Sequence, residues 1–265
     1  MIYRCDGLRI KIIFEINHEK HIPINYNHYL SSYIYTLLGK VDRDFTSFLH
    51  EKGYGKGFKL FTFSQIFFEK SKVVGDTIHV YPGEGWWFIS SPVGEIIENF
   101  IFPLLKAEDY LIIGRNSFFI TKIFPLESPA FGEKEKFKML SPLVLSVGVM
   151  RSGKLYHKYL TPWDGEYQER FRLNLIEKYK AVFDEEPKDD RIEIKPDWNY
   201  INRRGRITKL VDYKGTKIRG CIFPFEVAGN PELIKLGYEA GFGELNSLGF
   251  GMVEKIEKKR GRFKK

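Results

Sequence analysis

Five glycines and an Asn-Ser pair crowd residues 237–253, which read Gly-Tyr-Glu-Ala-Gly-Phe-Gly-Glu-Leu-Asn-Ser-Leu-Gly-Phe-Gly-Met-Val. Glycine loses more backbone freedom on folding than any other residue, so such density constrains the fold. Either the chain turns here through conformations that side chains resist, or its backbone comes close to something. A phosphate-bearing ligand is the first candidate, because free N–H groups in a turn form an anion nest. The spacing G-x-G-x-x-x-x-x-G-x-G is not a dinucleotide fingerprint, and the loop follows a helical pattern instead of opening a helix.

Upstream of that loop, hydrophobic periodicity gives an element order. Leu8, Ile10, Ile12, Phe14 and Ile16 alternate as in a strand. Residues 27–39 read as a helix with Tyr29, Leu30, Tyr33, Ile34, Leu37 and Leu38 on one stripe. A short helix over 42–52 follows, with Asp42 as N-cap. Strands are expected at 58–69 and at 76–89, the latter interrupted at 82–85. A helix opened by Ser91-Pro92 runs to about 106, and a strand covers 110–123. This is the order of a ferredoxin-like βαββαβ unit. The plan recurs as a strand at 137–149, a helix at 165–182, strands at 190–195, 206–213 and 216–226, a helix from Asn230-Pro231 to about 240, and a strand at 249–256. The expected fold is therefore α+β, with tandem ferredoxin-like (RRM-like) domains over 1–128 and 135–258 and a basic tail at 259–265.

Charge is distributed unevenly between those halves. Residues 1–130 hold 14 basic and 14 acidic residues, so the remainder carries the whole net charge of +8. A polyanion partner for the second half follows. Arg203, Arg204, Arg206, Lys209, Lys214, Lys217 and Arg219 surround a hairpin turn at Tyr213-Lys214-Gly215, with Asp212 as the one acid among them. A solvated sheet edge whose cations deter aggregation is the competing reading. Trp86, Trp87, Trp198 and Tyr200 offer rings for base stacking, or for a core. The two cysteines, Cys5 and Cys221, form neither a disulfide framework nor a zinc pattern. With no signal-peptide pattern and an apolar run at 142–150 too short to span a bilayer, a cytoplasmic protein without membrane contact is expected. His18, His21 and His28 straddle different elements, so no metal is expected, nor any other cofactor.

The loop Gly-Phe-Gly-Glu-Leu-Asn-Ser-Leu-Gly-Phe-Gly-Met-Val at 241–253 resembles the glycine-rich signature of the CRISPR-associated repeat-RNA endoribonucleases, Cas family six of the RAMP superfamily. The block Pro-Ile-Asn-Tyr-Asn-His-Tyr-Leu-Ser-Ser-Tyr-Ile-Tyr at 23–35, then Leu49-His50-Glu51 and Lys59-Leu60-Phe61-Thr62, follow in the family's order. The resemblance implies metal-independent cleavage of CRISPR repeat precursor RNA. In that chemistry a 2′-hydroxyl attacks the adjacent phosphate and leaves 2′,3′-cyclic phosphate and 5′-hydroxyl ends. It implies Tyr35, His50 and Lys59 as the catalytic set, and RNA contact by Gly241, Gly243, Asn246, Ser247, Gly249 and Gly251 beside the basic residues named above. Other CRISPR effector subunits and a second copy of the chain are the further partners it allows. A cleavage-deficient homologue and a structural RAMP subunit are the alternative readings.

Helix geometry bears on two of the three. At 100° per residue, Tyr35 lies about 150° from the centre of its helix's apolar stripe, beside His28, Ser32 and Gly39. His50 falls about 140° from the stripe of Phe45, Phe48 and Leu49. A surface Tyr packed on a loop and a His capping carbonyls are the plainer readings. Lys59 shares a strand face with Phe61 and Phe63 by alternation, and Lys56 in the preceding turn competes for its role. Tyrosine titrates near pH ~10, so Tyr35 needs a cation such as Lys59 to act as a base.

Overall fold

A computed structural model describes residues 7–106 and 110–257, so the expectations for Cys5 and for the tail at 259–265 lie outside the described residues. In the first half, Leu8–Ile16 is the inner strand of an antiparallel sheet, between Gly83–Ser91 and Asn116–Leu126. Thr62–Phe63 and Phe67–Phe68 pair with the far side of Gly83–Ser91, and Tyr110–Ile113 extends the opposite edge. Counted along the βαββαβ order, the strands stand fourth, first, third, second, the ferredoxin-like arrangement. Alternation puts Ile10, Ile12, Phe14 and Ile16 under the helices Asn27–Val41 and Gly94–Lys106, where all four are buried. Tyr33 and Trp87 meet Phe100 edge to face, with ring centroids 6.3 Å apart in both pairs. Burying a ring such as Phe100 completely is worth about 1.5–3 kcal/mol relative to exposure.

The second half repeats the arrangement. Ile192–Pro196, Phe225–Gly229, Lys134–Met139 and Val253–Lys255 lie side by side, all antiparallel, in the order second, third, first, fourth. The helices Tyr167–Phe183 and Pro231–Ala240 pack over them, and Phe171 stacks on Phe242 at 5.4 Å. Asn230 caps the latter helix by accepting from the Glu232 N–H, with Pro231 in its first turn. No helix among the described residues is long and apolar enough to cross a membrane.

Several expected strands are subdivided, each for a local reason. The segment 58–69 is broken because Leu60 adopts φ +52°, which flips the chain before Thr62. The stretch 137–149 holds two strands, since Lys134–Met139 ends at the Ser141-Pro142 region and Ser146–Arg151 starts a separate hairpin with Lys154–Tyr159. That hairpin turns at Ser152-Gly153, both with positive φ, the twist a two-residue hairpin turn requires. Residues 216–226 divide into Thr216–Cys221, paired with Thr208–Tyr213, and Phe225–Gly229 in the main sheet. Residues 76–89 likewise split, as Thr77–Val80 joins a small side sheet with Lys20–Pro23 and Ser71–Val74. The stretch 110–123 is a hairpin, and Trp198–Arg204 forms a short helix capped by Asp197. Ser91 is not an N-cap: its hydroxyl accepts from Val93 N–H and donates to the Leu60 carbonyl, and the helix starts at Gly94.

The two sheets are locked together through buried polar groups. Arg9, 5% exposed, donates to the carbonyls of Val253 (2.7 Å) and Tyr238 (2.6 Å) and lies 3.5 Å over the Tyr238 ring. Burial lowers its pKa to about 10, so it stays charged at neutrality. The turn at 53–57 packs against helix Tyr167–Phe183, where a Cβ on Gly55 would lie 2.8 Å from Ala181. Lys56 extends from that turn to pair with Glu177 at 2.8 Å.

Candidate active site at the domain junction

Tyr35, His50 and Lys59 come together, though by a route helix periodicity does not describe. The segment expected as one helix is an α-helix at Arg43–Ser47 that widens into a π turn at Phe48–Lys52. Asp42 caps its start by accepting from Phe45 N–H, as expected, and the turn closes with Gly53 N–H donating to Phe48 C=O, five residues back. The extra residue per turn changes every angular offset after Ser47. Leu49 becomes the buried residue and Phe48 is left 37% exposed. His50 is thereby carried to the surface with its ring edge-on to Tyr35, centroids 5.1 Å apart. Such widened turns recur at functional sites.

Lys59 is not a strand residue. The left-handed Leu60 separates it from Phe61, and its ammonium reaches back to donate to the His50 carbonyl at 2.8 Å. Partial burial lowers its pKa. Lys56 pairs instead with Glu177 on helix Tyr167–Phe183. Tyr35 is half-buried, edge-on to Phe61 at 5.8 Å and hydrogen-bonded to the Ser247 side chain. Burial, then the neighbouring Tyr213, push its phenol up to about 12. No cation lowers that pKa here: Tyr35 is neutral at ordinary pH and can donate a hydrogen bond.

The glycine loop forms the other wall. Four of its glycines hold positive φ, and each is pressed against protein: a Cβ on Gly249 would lie 2.3 Å from the Phe63 ring, and one on Gly251 only 1.9 Å from the Phe242 carbonyl. Asn27 and Ser31, on the first-domain helix, donate to the carbonyls of Leu248 (2.9 Å) and Ser247 (3.0 Å). Thr62 donates to the Phe250 carbonyl at 2.9 Å, and Asn246 ties the loop to itself through the same oxygen at 2.9 Å. The N–H groups of Gly249 and Gly251 go to the carbonyls of Asn246 and Pro142. The glycines thus come close to protein, and the N–H groups of Gly249 and Gly251 are not free to form an anion nest. Gly241, Gly243, Asn246, Gly249 and Gly251 are buried, so of the loop residues named for RNA contact Ser247 alone is partly open, beside exposed Leu245.

A residue the sequence reading passed over holds the loop from below. Lys178 is 1% exposed on the inner face of helix Tyr167–Phe183 and donates to the carbonyls of Gly241 and Gly243, both at 2.6 Å. Burial lowers its pKa to about 7. The signal was available as a Lys between Ile176 and Tyr179 on an otherwise apolar stripe.

The basic hairpin leans its tip on the same junction. Asp212 N–H donates to Asn25 at 3.0 Å, and Tyr213 stands edge-on to His28. Register sends Leu210, Asp212, Lys217 and Arg219 to the outer face and Lys209, Val211 and Tyr213 to the inner one. Lys209 is half-buried with a lowered pKa, and Lys217 is paired with Asp212 at 2.6 Å, so neither is the free cation expected. Arg203, Arg204, Arg206 and Arg219 are exposed. Between this hairpin and Ser146–Tyr159 runs an open groove of about 830 Å³ lined by Tyr156, His157, Lys158, Leu210, Lys217 and Arg219, sharing no residue with the Tyr35 cluster. Trp198 is exposed beside Trp163, whereas Trp87 is wholly buried and unavailable for stacking on bases.

Comparison with known proteins matches both halves of the chain. Residues 21–124 match the family described as CRISPR-associated protein Cas6, N-terminal, and residues 126–255 match CRISPR associated protein Cas6, C-terminal. The chain is 33% identical to a CRISPR-associated endoribonuclease Cas6 of Methanocaldococcus jannaschii, over 98% of this chain and 97% of that one. The solved structure of a Cas6-related gene product from Pyrococcus furiosus, 29% identical, superposes with a TM-score of 0.84, covering 96% of this chain and all of that one. A structure described as a RAMP protein binding different RNA substrates, also 29% identical, superposes at 0.81 over 94% of this chain and 100% of that one.

Proposed function

The chain belongs to the Cas6 family of CRISPR-associated proteins, and from that premise we propose that it is a cytoplasmic, metal-independent endoribonuclease that cuts CRISPR repeat precursor RNA into guide RNAs. The observation that carries the reading is the convergence of Tyr35, His50 and Lys59 at the junction of the two domains. Residues 1–128 supply the chemistry. Residues 135–258 supply the loop that supports it and the cations that hold the RNA backbone.

The 2′-hydroxyl gives up its proton to water as it attacks the adjacent phosphorus, the bond to O5′ breaks, and the ends are a 2′,3′-cyclic phosphate and a 5′-hydroxyl. His50, exposed beside the Tyr35 ring, gives its proton to the departing O5′. Lys59 holds His50 in place with one N–H, and an ammonium has two more for the phosphoryl oxygens as negative charge builds on them. Tyr35, kept neutral, donates a hydrogen bond that orients the ribose or the phosphate. Three donors at one site suit charge stabilisation without a metal. The one His/Asp/Glu cluster at ligand spacing among the described residues, Glu19–His21–His79, contains none of them.

Purified protein mixed with a cognate repeat RNA in EDTA gives two products on a denaturing gel, the upstream one resistant to 3′-end labelling until its cyclic phosphate is opened and the phosphate removed. A 3′-hydroxyl on that product would overturn the chemistry. A second reading, a repeat-RNA-binding relative that scarcely cuts, draws on the raised Tyr35 pKa, which leaves the site without an evident base. Tight RNA binding with no product under the same conditions selects it.

A further inference from the structure

The side sheet built from Lys20–Pro23, Thr77–Val80 and Ser71–Val74 carries a cluster that the cleavage chemistry does not use. Its register sets His21 directly opposite His79, and the two imidazoles stack with centroids 3.8 Å apart. Glu19, just before the strand, turns one carboxylate oxygen toward both: Oε1 lies 3.1 Å from His21 Nε2 and 3.3 Å from His79 Nδ1. All three donor atoms lie within 4.8 Å of one another. Two nitrogens and an oxygen from adjacent backbone positions thus converge on one point, reachable from solvent.

Those separations match the spacing of metal ligands. Zinc binds imidazole nitrogen and carboxylate oxygen at about 2.0–2.2 Å, which in a tetrahedron sets neighbouring donors about 3.3–3.5 Å apart. Imidazole with carboxylate suits zinc among the first-row divalent ions, and three protein ligands leave one position for water. Each ligand sits where the backbone fixes it: two on paired strands and the third one residue before a strand. Little ordering is then left for the metal to impose.

We propose that Glu19, His21 and His79 form a zinc site that clips Lys20–Pro23 to Thr77–Val80, just ahead of the helix that bears Tyr35. The expectation of no metal, made from His18, His21 and His28, missed it because His79 is distant in sequence and arrives only through strand pairing. Lys72 stands opposite His79 on the outer strand, on the same face, and brings a positive charge to the neighbourhood of the site.

The test uses tag-free, metal-stripped, full-length protein titrated with Zn²⁺ by calorimetry and with Co²⁺ by visible absorption. One equivalent binds, Co²⁺ develops the intense bands of a low-coordinate site, and the zinc-loaded protein melts higher than the stripped one. Replacing His21 and His79 together by Ala weakens binding about tenfold or more and abolishes the rise in melting temperature. Lys72→Glu, which removes the opposing charge and adds a carboxylate, tightens binding. His21, Glu19 and Lys72 are exposed and His79 is partly so, so these variants fold. Equal uptake by wild type and the double variant, which retains His18, His28, His50 and His157, would overturn the proposal. No uptake at micromolar metal would overturn it as well. Cleavage in EDTA continues in either case, so the outcome is separate from that of the proposed nuclease.

Discussion

At the residue scale the account rests on which groups are neutral, which are charged and which are spent. Burial raises the Tyr35 phenol to about 12, so at ordinary pH Tyr35→Phe removes a neutral hydroxyl and its bond with Ser247. We expect that variant to bind RNA as wild type does and to cut about 10²–10³-fold more slowly. Single-turnover kinetics measures this directly, and a loss of affinity instead would assign Tyr35 to binding. His50→Ala behaves the same way, with cleavage lost and binding kept. Lys178 gives a prediction of another kind. Its folded-state pKa of about 7 lies below the ordinary lysine value, so the unfolded chain binds more protons between pH 7 and about 10. Stability from this residue therefore rises with pH across that window, by up to about 1.4 kcal/mol per unit. Urea melts of wild type against Lys178→Met at pH 7 and 9 should show the wild type gaining on the variant at the higher pH.

At the element scale two features decide the geometry. The π turn at Phe48–Lys52 carries His50 to Tyr35, and deleting Glu51 would restore an α turn and rotate the imidazole away. We expect such a protein to fold, bind RNA and fail to cut, as a gel and a thermal melt together would show. The glycine loop is the second feature. Gly249→Val faces both a positive φ and the Phe63 ring, so it costs several kcal/mol and appears first as lost stability. These two features also mark how far the sequence could be read. The helices at 27–39 and 165–182 were legible because their apolar stripes run over several turns. The off-stripe positions of Tyr35 and His50 were legible as anomalies, but the offset of His50 presumed an α-helix throughout. The left-handed Leu60, the Ser152-Gly153 turn and the π turn each depend on one residue's dihedral angles or on tertiary packing, and periodicity carries no record of them. Glycine density correctly signalled a close approach. It could not say that the neighbours would be Thr62, Phe63 and Val144 of the same chain.

At the scale of the whole molecule, the two ferredoxin-like halves act as one body because each half completes the other's site. The second half provides Ser247 and Tyr213 around Tyr35, and the first provides Asn27, Ser31 and Thr62 as anchors for the loop. Excess positive charge sits on the half without the Tyr35 cluster, where the proposed function has it hold RNA. Replacing Arg203, Arg204 and Arg206 by Ala should weaken binding to all RNAs alike and lower the salt slope by about 0.7–0.9 per lost phosphate contact, measured by filter binding across a salt series. The central claim is that the RNA's own 2′-hydroxyl does the cutting under the guidance of Tyr35, His50 and Lys59. A cognate repeat RNA carrying one 2′-deoxy nucleotide at the scissile position tests this most directly. Wild-type protein in EDTA should bind that RNA with unchanged affinity and leave it whole, while cutting its all-ribose counterpart. Cleavage of the deoxy RNA would contradict the account.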